Sequence, residues 1–107
     1  MFVRIWQFRV ASEKAHEFRE VYGPNGLWAT LFRREIGFFG LELLQSSAHP
    51  NVYLTIDNWD SPEAWAAFLR AWGDEYGELD RRCEPLIVSE GEIGSFESLG
   101  ERLPSPD

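Results

Sequence analysis

The chain is poor in the residue types that mark several functional classes. Among its 107 residues there is one cysteine, Cys83, so no internal disulfide can form. The two histidines, His16 and His49, lie far apart in sequence and away from Cys83, so no metal-ligand spacing is present. His16 falls beside Glu13 and Glu20 on the polar side of a helix, and His49 in a turn before Pro50, both solvated positions. Without a histidine partner, Cys83 reads as a small core residue rather than a nucleophile. Cations are scarce: ten Lys and Arg against eighteen Asp and Glu leave a net charge of −8. A surface that acidic repels phosphate backbones and anionic lipid, which argues against nucleic acid or a membrane as partner. No apolar run approaches the roughly 20 residues of a membrane span. The opening Met1-Phe2-Val3-Arg4-Ile5-Trp6 is broken by charge and lacks a signal peptide's apolar centre, so the expected location is cytoplasmic. Gly23-Pro24-Asn25-Gly26 has neither the spacing nor the lysine of a phosphate loop.

Rings, by contrast, are plentiful: five Trp, eight Phe and three Tyr. They are ample for the core of one domain, read as residues 1–97 with a polar tail at 98–107. Residues 2–10 alternate as a strand, with Phe2, Arg4, Trp6, Phe8 and Val10 on one face. A helix with Ser12 as N-cap and a stripe of Ala15, Phe18, Val21 and Tyr22 follows. Leu27, Trp28, Leu31 and Phe32 form a second short stripe. Gly37–Ser47 and Val52–Trp59 read as strands joined by a turn at 48–51. Ser61-Pro62-Glu63 is a strong helix start, and Trp65, Phe68, Leu69 and Trp72 follow at helical spacing. Gly73 breaks or bends that helix, and Pro85 ends it. Leu86–Phe96 is the last strand, with Gly91 and Gly94 as bulge sites.

The order strand, helix, strand, strand, helix, strand predicts an α+β fold, a ferredoxin-like βαββαβ antiparallel sheet with its helices on one face. The strands are apolar on both faces. Val52, Leu54 and Ile56 oppose Tyr53 and Trp59, and Ile36, Phe38 and Leu44 oppose Phe39, Leu41 and Leu43. Helices can cover only one side, so a homodimer packed sheet to sheet is expected.

Parity places Tyr53, Thr55, Asp57 and Trp59 on one face of the third strand. Against the helices, Asp57 would be a desolvated carboxylate able to accept a proton, and the Trp59 indole N–H and Thr55 hydroxyl would be donors. Trp65, Phe68, Trp72 and Phe32 could wall a pocket for a flat aromatic molecule, for which roughly 300 Å³ is needed. The plainer alternative is that these rings are core, and that Asp57 is paired with an arginine or a backbone N–H.

Three stretches carry a family likeness: Arg4-Ile5-Trp6-Gln7-Phe8-Arg9-Val10, Gly37-Phe38-Phe39-Gly40-Leu41-Glu42-Leu43-Leu44, and above all Asp57-Asn58-Trp59-Asp60-Ser61-Pro62-Glu63-Ala64-Trp65. With them the sequence resembles the antibiotic biosynthesis monooxygenases, dimeric α+β barrel proteins. The resemblance implies a helix–sheet pocket in which a small phenolic compound is oxidised by O₂ without a cofactor or metal. It matches the family's strand tryptophan to Trp59, puts Thr55 where quinone-forming members have Asn, and puts Trp65 where they have Tyr. A further family arginine would fall at Arg81 or Arg82. Catalytic roles would then go to Asp57 and Trp59, and substrate contacts to Tyr53, Thr55, Trp65, Phe68, Trp72 and Phe32. The alternative within the same fold is a non-catalytic homodimer that binds a small ligand or serves only as structure.

Overall fold

Strict alternation over the third strand sets the frame of the molecule. In the computed structural model, which describes residues 1–100, β3 (Val52–Trp59) buries Tyr53, Thr55, Asp57 and Trp59 on the helix side. β1 (Phe2–Arg9) lies antiparallel beside it, pairing Arg4 with Asp57, Trp6 with Thr55 and Phe8 with Tyr53. β2 (Phe38–Gln45) and β4 (Ser89–Glu97) complete an antiparallel sheet in the order β2-β3-β1-β4. This is the ferredoxin-like order expected. Of the polar tail expected at 98–107, residues 101–107 lie outside the described part.

Helices α1 (Ala15–Tyr22), α2 (Leu27–Phe32) and α3 (Pro62–Cys83) cover one face. Ser61 caps α3 by accepting a 3.1 Å hydrogen bond from the Ala64 N–H. Pro62, at the first helical turn, has no N–H to leave unpaired there. The expected bend is present: Trp72 departs from helical geometry with φ −129° and ψ 18°, just before Gly73. Among the described residues, no helix is long and apolar enough to cross a membrane.

Several local expectations are corrected. Ser12 does not cap α1, because residues 12–14 form a 3-10 turn with Ala11 before it and α1 begins at Ala15. Leu27 is exposed rather than part of the α2 stripe, which buries Trp28, Ala29, Leu31 and Phe32. Phe38 and Leu41 share the helix face instead of opposing each other. A bulge at Phe39–Gly40 adds a residue, so Phe38 pairs with Trp59 and Leu41 with Asp57. Gly40 makes this turn at φ +128°, a region other residues rarely enter. β4 starts at Ser89, since Glu84–Leu86 is a 3-10 turn, and its bulge places Ile93 opposite nothing, next to Gly94 at φ +151°; Gly91 pairs regularly with Gln7.

Among the described residues, none covers the other sheet face. Val3, Ile5, Val52, Leu54 and Ile56 are only half-buried there, and Leu44 and Phe96 are exposed.

Candidate active site

Antiparallel pairing brings six side chains into two rows on the helix side of the sheet centre. Arg4, Asp57 and Leu41 form one row across β1, β3 and β2; Trp6, Thr55 and Leu43 form the next. On the far side of β1, Glu92 is opposite Trp6 and Glu90 opposite Phe8. The helices roof this area with Tyr22 from α1, Trp28 and Phe32 from α2, and Tyr76 and Asp80 from the second half of α3.

Between sheet and roof lies a cavity of about 40 Å³ walled by Trp6, Phe8, Tyr22, Trp28, Phe32, Leu41, Thr55, Asp57, Tyr76, Asp80 and Glu90. Asp80 and Glu90 are exposed while most of the other walls are buried or half-buried, so the opening lies between α3 and β4. The volume suits water or dioxygen. It is well below the roughly 300 Å³ of a pocket that encloses a drug-sized molecule.

Asp57 dominates the chemistry. It is 5% exposed, and none of the ion pairs or side-chain hydrogen bonds among the described residues includes it. Burial pushes its carboxyl from 3.8 up to about 7, with the neighbouring Arg4 charge pulling in the other direction. Such a group exchanges a proton near neutrality. Arg4 is itself buried; its guanidinium lies 4.0 Å from the Trp65 ring centroid and 3.8 Å from a Glu92 carboxylate oxygen. It is thereby held beside Asp57 without closing on it. Burial also raises the Tyr76 phenol, while Arg4 lowers it. At the inner end, burial raises Tyr22 and Cys83, and the buried Trp28 indole N–H lies beside both without a well-aligned hydrogen bond to either.

Of the residues singled out from sequence, Asp57, Thr55 and Phe32 meet on the cavity wall. Trp59 does not reach it. That ring is fully buried among Phe32, Phe38, Trp65 and Phe68, with centroids 5.0–5.5 Å away, and its N–H is unpartnered. Phe68 belongs to the same aromatic cluster, and Trp65 bridges it to Arg4. Tyr53 packs on Phe18 and accepts a 3.1 Å hydrogen bond from Arg19 Nε, at the other end of the sheet. Trp72 sits outside, its ring 4.8 Å from the Arg34 guanidinium. Arg81 and Arg82 are exposed and neither lines the cavity. Sequence reading missed Arg4, Trp6, Trp28, Tyr76, Asp80 and Glu90 as site residues. Parity did place Arg4 and Trp6 on the correct face, but nothing in the sequence shows where α3 resumes after its kink.

Comparison with known proteins bears on the fold and the family. No curated protein sequence matches the chain. Among solved structures, a monooxygenase of Streptomyces coelicolor, in complex with nanaomycin D, superposes with a TM-score of 0.75 at 20% identity over 97% of this chain and 92% of its own. SnoaB, a cofactor-independent oxygenase of Streptomyces nogalater, gives 0.71 at 25% identity over 97% of both chains. Residues 1–76 match the family profile described as antibiotic biosynthesis monooxygenase. On the strength of that match, covering most of the described fold, the chain belongs to the antibiotic biosynthesis monooxygenase family.

Proposed function

We propose that the protein is a cofactor-independent monooxygenase that oxidises a small, electron-rich phenolic compound at the Asp57 cavity, working as a homodimer packed sheet to sheet. The observation that carries this reading is a buried, unpaired carboxylate on a cavity wall, with its proton affinity raised to the neutral range. Family membership supports the reaction class, and the similarity to a relative described as a cofactor-independent oxygenase supports the absence of a helper group. The half-buried apolar face formed by Val3, Ile5, Leu54 and Ile56 supports the dimer.

The steps follow from the residues. Asp57 takes the proton of the substrate hydroxyl, leaving an arenolate whose charge Arg4 offsets from the next strand. The arenolate gives one electron to dioxygen held in the 40 Å³ space. Recombination of the two radicals forms a carbon–oxygen bond and a peroxide. Asp57 returns its proton to the peroxide; loss of the ring C–H proton with cleavage of the O–O bond then leaves a carbonyl on the ring and releases the second oxygen, with both protons, as water. Thr55 is placed to donate to the developing oxyanion. The ring itself enters from the open side, where Trp6 and Tyr76 are only half-buried.

The test is oxygen uptake by metal-stripped protein with a panel of hydroxylated anthracene-like compounds. Turnover of at least one compound, lost by about a hundredfold or more in Asp57→Asn, is expected from removal of a general base. Ligand-dependent fluorescence quenching with no oxygen uptake would instead make this a binding protein.

A further inference from the structure

Among the described residues, the charges that line the cavity are of one sign: Asp57 on the inner wall and Asp80 and Glu90 at the mouth, with no Lys, Arg or His. Arg4 acts on Asp57 at the inner wall, but among the described residues no cation lines the mouth. Arg4 is stacked on Trp65 and paired with Glu92, Arg82 lines a separate groove between α2 and α3, and Arg81 lies back along its own helix toward Gly77. Asp80 on α3 and Glu90 on β4 face the same opening. Glu90 holds its proton more tightly than usual, first through burial and then through the fields of Asp80 and Glu84. The inner wall adds a feature that points to a ligand. Asp57, 5% exposed, is bound in none of the hydrogen bonds or ion pairs among the described residues. A hydroxyl is a group that can donate to that carboxylate.

We infer that this site selects an aromatic hydroxyl compound bearing a protonated amine, with the ring at the open side by Trp6 and Tyr76, the hydroxyl reaching Asp57 and the ammonium at Asp80 and Glu90, and rejects the matching carboxylate. The placement of the hydroxyl rests on the function proposed above; the charge preference stands on the mouth alone. Two carboxylates at the opening attract an ammonium and repel a second anion, and repulsion contributes to selectivity as much as attraction does. Because the mouth is solvent-exposed, the preference weakens as salt shortens the screening length.

Three naphthols that differ only in one substituent, aminomethyl, hydroxymethyl or carboxyl, provide the test. Each is titrated into the full chain at low ionic strength while quenching of Trp6 and Trp28 fluorescence is followed. The amine should bind at least about tenfold more tightly than the acid, with the alcohol between, and the spread should shrink in about 0.5 M salt. In the double variant Asp80→Asn/Glu90→Gln, at two exposed positions, the three affinities should fall within about threefold of one another. Equal binding, tighter binding of the acid, persistence of the order in the double variant, or no binding of any compound at millimolar concentration would each overturn the inference. Ordered binding without oxygen uptake would keep the charge preference and remove the oxidation reading. Oxygen uptake without the order would do the reverse.

Discussion

Replacing Asp57 by asparagine should make the protein more stable, and increasingly so as pH rises. The carboxyl titrates near 3.8 when exposed and at about 7 in the folded protein. A raised folded-state value means that the native state binds more protons than the unfolded chain between these limits. Stability is therefore undiminished below about pH 4 and is lost as pH rises through 7. With about 1.4 kcal/mol per pH unit, the loss is about 2 kcal/mol at pH 5 and about 4 kcal/mol at pH 8.5. Asparagine has nearly the same shape and no charge to desolvate, so the variant escapes this loss. Urea unfolding of both proteins, at one fixed protomer concentration, measures the gap between them. That gap should widen by roughly 2 kcal/mol from pH 5 to pH 8.5, on the order of 10 °C in Tm. Other groups cancel in the comparison. A gap independent of pH would show that Asp57 ionises normally, and the assignment of a neutral-range base would fall with it.

Other perturbations probe separate parts of the structure. Trp59→Phe keeps a ring in the aromatic cluster and removes an N–H that meets no acceptor; kcat for oxygen uptake should stay within about threefold, and a tenfold fall would show that this N–H reaches the substrate. Gly40→Ala forces a Cβ into φ +128° and should cost about 1–2 kcal/mol in urea unfolding even though the space around it is open. Ser61→Ala removes the cap on α3 and should cost about 1 kcal/mol, read as a lower Tm. Ile56→Lys, placed in the middle of the uncovered sheet face, should convert a dimer to a monomer by light scattering. A wild-type protein that is already monomeric at micromolar concentration would remove the dimer from the account.

The legible parts of the fold were those governed by an unbroken period. Each residue of β3 follows its parity, so Tyr53, Thr55, Asp57 and Trp59 were readable as one buried row. The start of α3 was readable because Ser61 and Pro62 have single physical reasons to be there. The bulge at Phe39–Gly40 is not legible, because one extra residue inverts every face assignment beyond it, whereas Gly94 marks the bulge beside Ile93. The cavity was only half legible for a similar reason. The kink at Trp72 resets the helical phase, so the sequence does not show that Tyr76 and Asp80 turn toward the sheet while Trp72 turns to Arg34. Arg4 was overlooked because a charge in an apolar row reads as a surface residue, whereas Trp65 and Glu92 make its burial tolerable.

Isotope labelling tests the reaction most directly. Metal-stripped protein is supplied with ¹⁸O₂ and a hydroxylated anthracene-like compound that it turns over, and the product is weighed by mass spectrometry. One labelled oxygen in the quinone and the other in water is the result expected of the chemistry assigned to the Asp57 cavity. An oxidised product without label, accompanied by labelled hydrogen peroxide, would mean that the protein only passes electrons to oxygen and is not a monooxygenase.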